Sequence, residues 1–302
     1  MIDEPLIGSR YQTHAELDDP LIGSRYQTHV EPLGDAERAT VASYADVYAG
    51  DDEPPAGQDD ELIGYLHSIE VGSTVDGPGL RMTIFLSGCT LRCQYCHNPD
   101  TWHKHNGRKI TLGDMMREIG KYAHVLKVSK GGITISGGEP AVQHEFTTGI
   151  FKRAKALGLH TCMDTAGRLG ERFTDAQLQD IDLHLLDVKS GDPETYRRVT
   201  EHPLQPTLDY ARRLSELGRP VWGRFVLVPG LTDDVDNVEK VADVFAAIKS
   251  IERVEVLRFH QMGMDKWQKL GIPYSLATVE PPTNELAERV RQQFRSRGLT
   301  VF

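Results

Sequence analysis

RMTIFLSGCTLRCQYC, residues 81–96, runs from an apolar stretch into three cysteines spaced Cys-x-x-x-Cys-x-x-Cys, at Cys89, Cys93 and Cys96. The 302-residue chain has only one other cysteine, Cys162. Three thiolates at this spacing fit three corners of a 4Fe-4S cube and leave the fourth iron without a protein ligand. Other uses fit less well. A structural zinc site closes its tetrahedron with a fourth Cys or His, usually as two paired ligand clusters, and His97 adjoins Cys96 so closely that both would seldom reach one ion. Disulfides belong to oxidising compartments, to which nothing else in the chain points. Ferredoxin spacings in which every iron has a cysteine differ from this one and need a fourth.

On either side of this stretch, short β-rich runs alternate with amphipathic ones. The expected strands are RMTIFL (81–86), GGITIS (131–136), LHTCMD (159–164), LHLLDV (183–188), VWGRFVLV (221–228) and RVEVLRF (253–259). Helical segments lie between them at 112–126, 144–158, 209–218 and 238–250, with Gly158 and Gly218 as C-terminal stops. Such alternation predicts an α/β fold with a parallel sheet and right-handed crossovers, forming a barrel or partial barrel. The polar motifs follow the strands: the cysteine loop, then GGEP (137–140), DTAG (164–167), DVK (187–189), VPG (228–230) and RFH (258–260). In parallel α/β barrels the C-terminal strand ends carry the active site, so these motifs are expected to converge.

The charge is unevenly distributed. Residues 1–61 hold 15 Asp and Glu against 3 Arg and no Lys, a net of −12, leaving 29 acids against 31 bases in the remainder. A near-neutral body gives no footprint for nucleic acid or a membrane surface. PLIGSRYQTH at 5–14 recurs unchanged at 20–29, too few copies for a solenoid. Residues 1–60 are expected to be an acidic, disordered leader, and residues 61–302 the folded domain. The absence of a signal-peptide pattern or a long apolar stretch predicts a cytoplasmic protein.

The segment HSIEVGSTVDGPGLRMTIFLSGCTLRCQYCHNPDTW (67–102) closely resembles the activating enzymes of glycyl radical enzymes in the radical S-adenosylmethionine superfamily. The resemblance continues through SGGEP, HTCMDTAG, DVK, VWGRFVLVPG, RFH, KW and PPTNEL, over residues 64–302. It implies a partial (β/α)6 TIM-like barrel of the radical SAM type. It also implies a 4Fe-4S cluster whose open iron binds S-adenosylmethionine, and a 5′-deoxyadenosyl radical that takes hydrogen from a backbone glycine of a partner enzyme. Many activases of other glycyl radical enzymes carry a cysteine-rich insert after the first motif, whereas residues 97–161 here contain no cysteine. The formate-lyase type is therefore expected, with pyruvate formate-lyase as partner and flavodoxin or ferredoxin as reductant. Activation of a diol dehydratase or an anaerobic ribonucleotide reductase is the alternative. A non-catalytic iron–sulfur electron carrier is the alternative of a different class, but a carrier has no need of GGEP, DVK and a strand-end histidine.

By the same resemblance Cys89, Cys93 and Cys96 ligate the cluster, while Tyr95 and His97 lie against the cofactor. The competing, lesser reading of Tyr95 is a core aromatic. Gly137 and Gly138 would let backbone approach the methionine amino group, with Glu139 ordering that loop. Asp187, Val188 and Lys189 resemble the segment at the methionine carboxylate and ribose, and His260 resembles a histidine near the ribose or adenine. Asp164, Thr165 and Asp187 resemble a monovalent-cation site, the competing reading being an ordinary hydrogen-bonded pair. Asp76 and Arg224 are expected on the substrate side, although Asp-Gly-Pro-Gly would form a turn in any case. Cys162, inside a strand, reads as a buried structural thiol.

Overall fold

The computed structural model describes residues 57–302. The duplicated PLIGSRYQTH and nearly all of the expected leader lie outside the described residues. Residues 57–60, read from sequence as the leader's end, form a turn in which Asp60 pairs with Arg153.

One eight-stranded mixed sheet organises the chain. Its strands are β1 (Ile63–Ser73), β2 (Arg81–Leu86), β3 (Arg108–Thr111), β4 (Gly132–Gly137), β5 (His160–Thr165), β6 (Leu183–Asp187), β7 (Val221–Leu227) and β8 (Ile251–Arg258), in the spatial order β3-β1-β2-β4-β5-β6-β7-β8. From β2 to β8 every pairing is parallel, and these six strands are the six expected from the sequence. β1 and β3 add an antiparallel edge that the sequence pattern does not announce. β1 carries Ile63, Tyr65, Ile69 and Val71 at alternate positions, but Ile63 and Val71 are exposed, as are Ser68, Glu70 and Gly72 on the opposite parity.

The crossover helices include α1 (Leu112–Val128), α2 (His144–Ala156), α3 (Asp175–Leu178), α4 (Pro193–Thr200), α5 (Gln205–Glu216) and α6 (Val235–Ala246); α7 (Met264–Lys269) and α8 (Asn284–Arg295) follow β8. Their ends are chemically marked. Thr111, Asp192, Asp234 and Thr283 cap N-termini with side-chain oxygens, and Gly158 and Gly218 take positive φ just past α2 and α5.

Side chains alternate across each strand, so the two sheet faces differ in kind. Met82, Ile84, Ile133, Ile135, Met163, Leu186, Phe225, Val254 and Val256 face the helices and join Met116, Ile119, Ile150, Leu214, Val241, Phe245 and Phe294 in the main core. Arg81, Thr83, Thr134, Ser136, Cys162, Asp164, Asp187, Arg224 and Glu255 occupy the alternate positions. That polar face is the inside of a curl. β2 and β7 are four strands apart, roughly 19 Å along a flat sheet, yet Arg224 Nη2 donates to the carbonyl of Val75, ahead of β2, at 2.5 Å. β3 and β8 remain as separate edges, leaving a partial barrel.

Candidate active site at the strand ends

The cysteine loop leaves β2 and is held from several sides by backbone bonds. Gly88 N and Cys89 N donate to the carbonyls of Thr101 and Trp102, while Arg92 N and Gln94 N donate to Thr200 and Val199 at the end of α4. Trp267 Nε1 donates to the carbonyl of Cys96 at 2.8 Å, and Arg92 Nη1 to that of Cys89 at 2.8 Å. All three cysteines are free and half-buried. Burial pushes the Cys93 thiol up to about 12 against the pull of Lys189, and raises Cys89 and Cys96 as well, with the thiols raising one another. Such thiols stay protonated and inert until a metal displaces the proton. No group of three His, Cys, Asp or Glu among the described residues converges on a single metal ion. A cube makes no such demand, because each iron takes its own thiolate.

The GGEP loop packs directly on this one. Gly138 N donates to Leu86 and Glu139 N to Gly88, each at 2.8 Å. A Cβ on Gly138 would lie 2.3 Å from the Gly88 carbonyl oxygen, so the glycine pair first serves close packing of the two loops. Glu139, 2% exposed, accepts from the Thr165 hydroxyl at 2.6 Å and from Ala166 N at 3.1 Å. One carboxylate thereby orders the ends of β4 and β5. Burial pushes it up to about 7.

Deeper in the curl, Ser136 donates to Asp164 Oδ2 at 2.7 Å and Lys189 donates to Asp187 Oδ2 at 2.7 Å. The Lys189 side chain is 13% exposed, so its charge sits inside the curl, and its Nζ stands 5.7 Å from the Tyr95 ring centre. Burial raises the Asp164 carboxyl; Arg224 opposes this and nearby Asp187 adds to it. Thr165 has its hydroxyl engaged by Glu139 and by Gly167 N. Val188 is buried in the main core and donates its N–H to the Arg224 carbonyl. Tyr95 packs with Val199, Val228, Leu231, Phe259 and Leu276, as a core aromatic would. His260 stacks on His97, ring centres 4.2 Å apart, and burial lowers its pKa.

Buried polar atoms in this region without a hydrogen-bond partner include Tyr95 Oη, Asp164 Oδ1, Asp187 Oδ1 and His260 Nδ1. Native interiors seldom leave such atoms unpaired, and their grouping around the cysteine loop fits a polar ligand. S-adenosylmethionine, with its ammonium, carboxylate, hydroxyls and adenine nitrogens, has the chemistry to pair them.

The residues expected on the substrate side meet one another. Asp76 Oδ2 accepts from the hydroxyls of Ser73 and Thr83, and Arg224 Nη1 lies 3.8 Å from Asp76 and 3.6 Å from Asp164. The DGPG turn has Gly77 and Gly79 at positive φ. Sequence reasoning gave no role to Ser136, Trp267 or Glu255, although Ser136 and Trp267 lie in the quoted SGGEP and KW motifs. Strand alternation places Ser136 beside Asp164 and Glu255 beside Arg224, so that signal was present. Two surface depressions of about 300 and 500 Å³, beside α2, share no residue with this group.

A curled α/β sheet with a triple-cysteine loop at its strand ends defines the class of radical SAM proteins, and the Radical SAM superfamily model matches residues 83–244. The pyruvate formate-lyase-activating enzyme of Staphylococcus epidermidis is 43% identical over 244 residues, covering 78% of this chain and 97% of that protein. Its counterpart in Staphylococcus aureus (strain USA300) is 41% identical over the same length and coverage. The chain belongs to the radical SAM superfamily and, within it, to the family of these activating enzymes. A radical SAM methyltransferase structure from Sphaerobacter thermophilus, 18% identical, aligns with a TM-score of 0.55 over 89% of this chain and 81% of its own, a likeness of fold. No helix among the described residues is long and apolar enough to cross a membrane.

Proposed function

We propose that the chain activates pyruvate formate-lyase by installing a glycyl radical, with residues 61–302 as the activase domain. Cys89, Cys93 and Cys96 would hold a 4Fe-4S cluster, which with S-adenosylmethionine bound would supply one-electron reductive cleavage of the sulfonium and so the means of taking hydrogen from glycine. The chain's own groups do the rest. Glu139 holds two strand-end loops in register, and Gly137 and Gly138 bring backbone close to the methionine amino group. Lys189 faces the methionine carboxylate, and Asp187, Val188 and His260 face the ribose and adenine. Tyr95 and His97 wall the cofactor from water. Asp164, Thr165 and Asp187 are proposed to share a monovalent cation, which would relieve the repulsion of two close carboxylates. Asp76 and Arg224 receive the partner's glycine segment. A cytoplasmic flavodoxin or ferredoxin supplies the electron.

The observation that carries this reading is the set of unpaired buried polar atoms on Tyr95, Asp164, Asp187 and His260, in a fold with three free thiols on one loop. An electron carrier has no use for them. Anaerobically reconstituted protein, reduced with dithionite, is expected to release 5′-deoxyadenosine from S-adenosylmethionine. It should also raise a glycyl doublet in electron paramagnetic resonance on formate-lyase, but not on a diol dehydratase or an anaerobic ribonucleotide reductase. Absence of 5′-deoxyadenosine would sink the enzyme reading, and a doublet on another enzyme alone would reassign the partner. Cys93→Ala should lose both iron and turnover.

A further inference from the structure

Arg224 reaches the substrate side on a long, flexible side chain, so something must aim it. Its Nε donates to Glu255 Oε2 at 3.0 Å, from the residue directly paired with it across β7 and β8. Its Nη2 is taken by the Val75 carbonyl. Nη1 is left 3.6 Å and 3.8 Å from Asp164 and Asp76, beyond hydrogen-bond distance of either. Nη1, with two N–H donors, therefore remains for an incoming main-chain carbonyl.

Glu255 is itself fixed. Its other oxygen pairs with Arg253, whose guanidinium lies 3.2 Å from the Trp222 ring centre and 5.0 Å from that of Phe302. Phe302 is held in turn, because Val256 N donates to the Phe302 carbonyl and Phe302 N donates to that of Val254. We infer that Glu255, braced by Arg253, is a positioning residue that fixes the Arg224 guanidinium for the partner's glycine segment. The inference rests on the proposed activase reading for the identity of that segment. The hold of Glu255 on Arg224 needs no partner.

The test uses Glu255→Ala with Glu255→Gln as the milder variant, both in reconstituted full-length protein. Glu255→Ala is expected to raise KM for formate-lyase about tenfold, the loss of a charge-assisted hydrogen bond acting on binding. The rise should exceed any change in partner-free 5′-deoxyadenosine release, with Glu255→Gln intermediate. In an Arg224→Ala background Glu255→Ala should add less than about twofold, since it acts through Arg224. An unchanged KM, or effects that multiply in the double variant, overturns the inference. Hydrogen exchange of the Arg224 Nε–H, followed by nuclear magnetic resonance, gives a partner-free arm. Exchange should be slow in the starting protein, fast in Glu255→Ala and intermediate in Glu255→Gln; slow exchange in Glu255→Ala overturns the inference. A starting protein that makes no glycyl radical on formate-lyase overturns the functional reading instead, and this arm still decides the role of Glu255.

Discussion

Replacing Glu139 by glutamine tests whether a buried carboxylate at the centre of the strand-end loops strains the fold as it ionises. The group is 2% exposed, and burial outweighs its bonds from Thr165, Ala166 and Ala141, moving it from an ordinary 4.5 to about 7. The folded state therefore holds the proton more tightly than the unfolded chain. The stability this contributes is full below about pH 4.5 and is lost as pH rises through about 7. The whole difference is about 3 kcal/mol, of which about 2 kcal/mol falls between pH 5.5 and 8. The neutral amide of Glu139→Gln would mimic the protonated carboxyl and carry no such loss. Anaerobic urea unfolding of both proteins at a series of pH values should show the variant gaining about 2 kcal/mol on the original across that range. A stability difference that stays flat with pH would refute the assignment of Glu139 as a strained, ionising group.

Gly79→Ala forces a side chain onto φ +67 and puts its Cβ 2.5 Å from the Lys130 carbonyl oxygen. It should cost about 3 kcal/mol, read as a lower urea midpoint; an unchanged midpoint would contradict the close approach of the DGPG turn to β4. Cys162→Ala removes a fully buried thiol packed on Leu183, Leu185 and Trp222. It should cost about 1 kcal/mol and leave iron content as in the unsubstituted protein, whereas a fall in iron would make Cys162 part of the cluster site.

The parallel half of the fold was legible because its strands are buried on both faces and read as apolar runs, such as RMTIFL and VWGRFVLV, bounded by polar motifs. β1 was passed over although Ile63, Tyr65, Ile69 and Val71 alternate along it: His67 interrupts that stripe, and near the edge Ile63 and Val71 stay exposed. Short α4 escaped because eight residues give too few turns for a periodic stripe. At the site, the cysteine spacing was self-sufficient, being local in the chain. The hold of Trp267 on Cys96 was not, since it joins residues 171 positions apart through a backbone carbonyl that carries no residue identity. Thr165 stood out within DTAG, yet its hydroxyl is committed to Glu139, a partner that only the meeting of β4 and β5 creates.

The sheet has a temporal consequence. From β2 to β8 each parallel strand lies beside its predecessor in the chain, so the sheet can grow in the order in which residues leave the ribosome. The three thiols emerge at its beginning, while Trp267, which secures the Cys96 carbonyl, comes 171 residues later. At ordinary translation rates that interval is roughly 10 to 30 s. For that time the nascent chain displays three thiols without the bond that later fixes the end of their loop. Thiol damage and any metal loading share that window, which closes when the segment carrying Trp267 arrives.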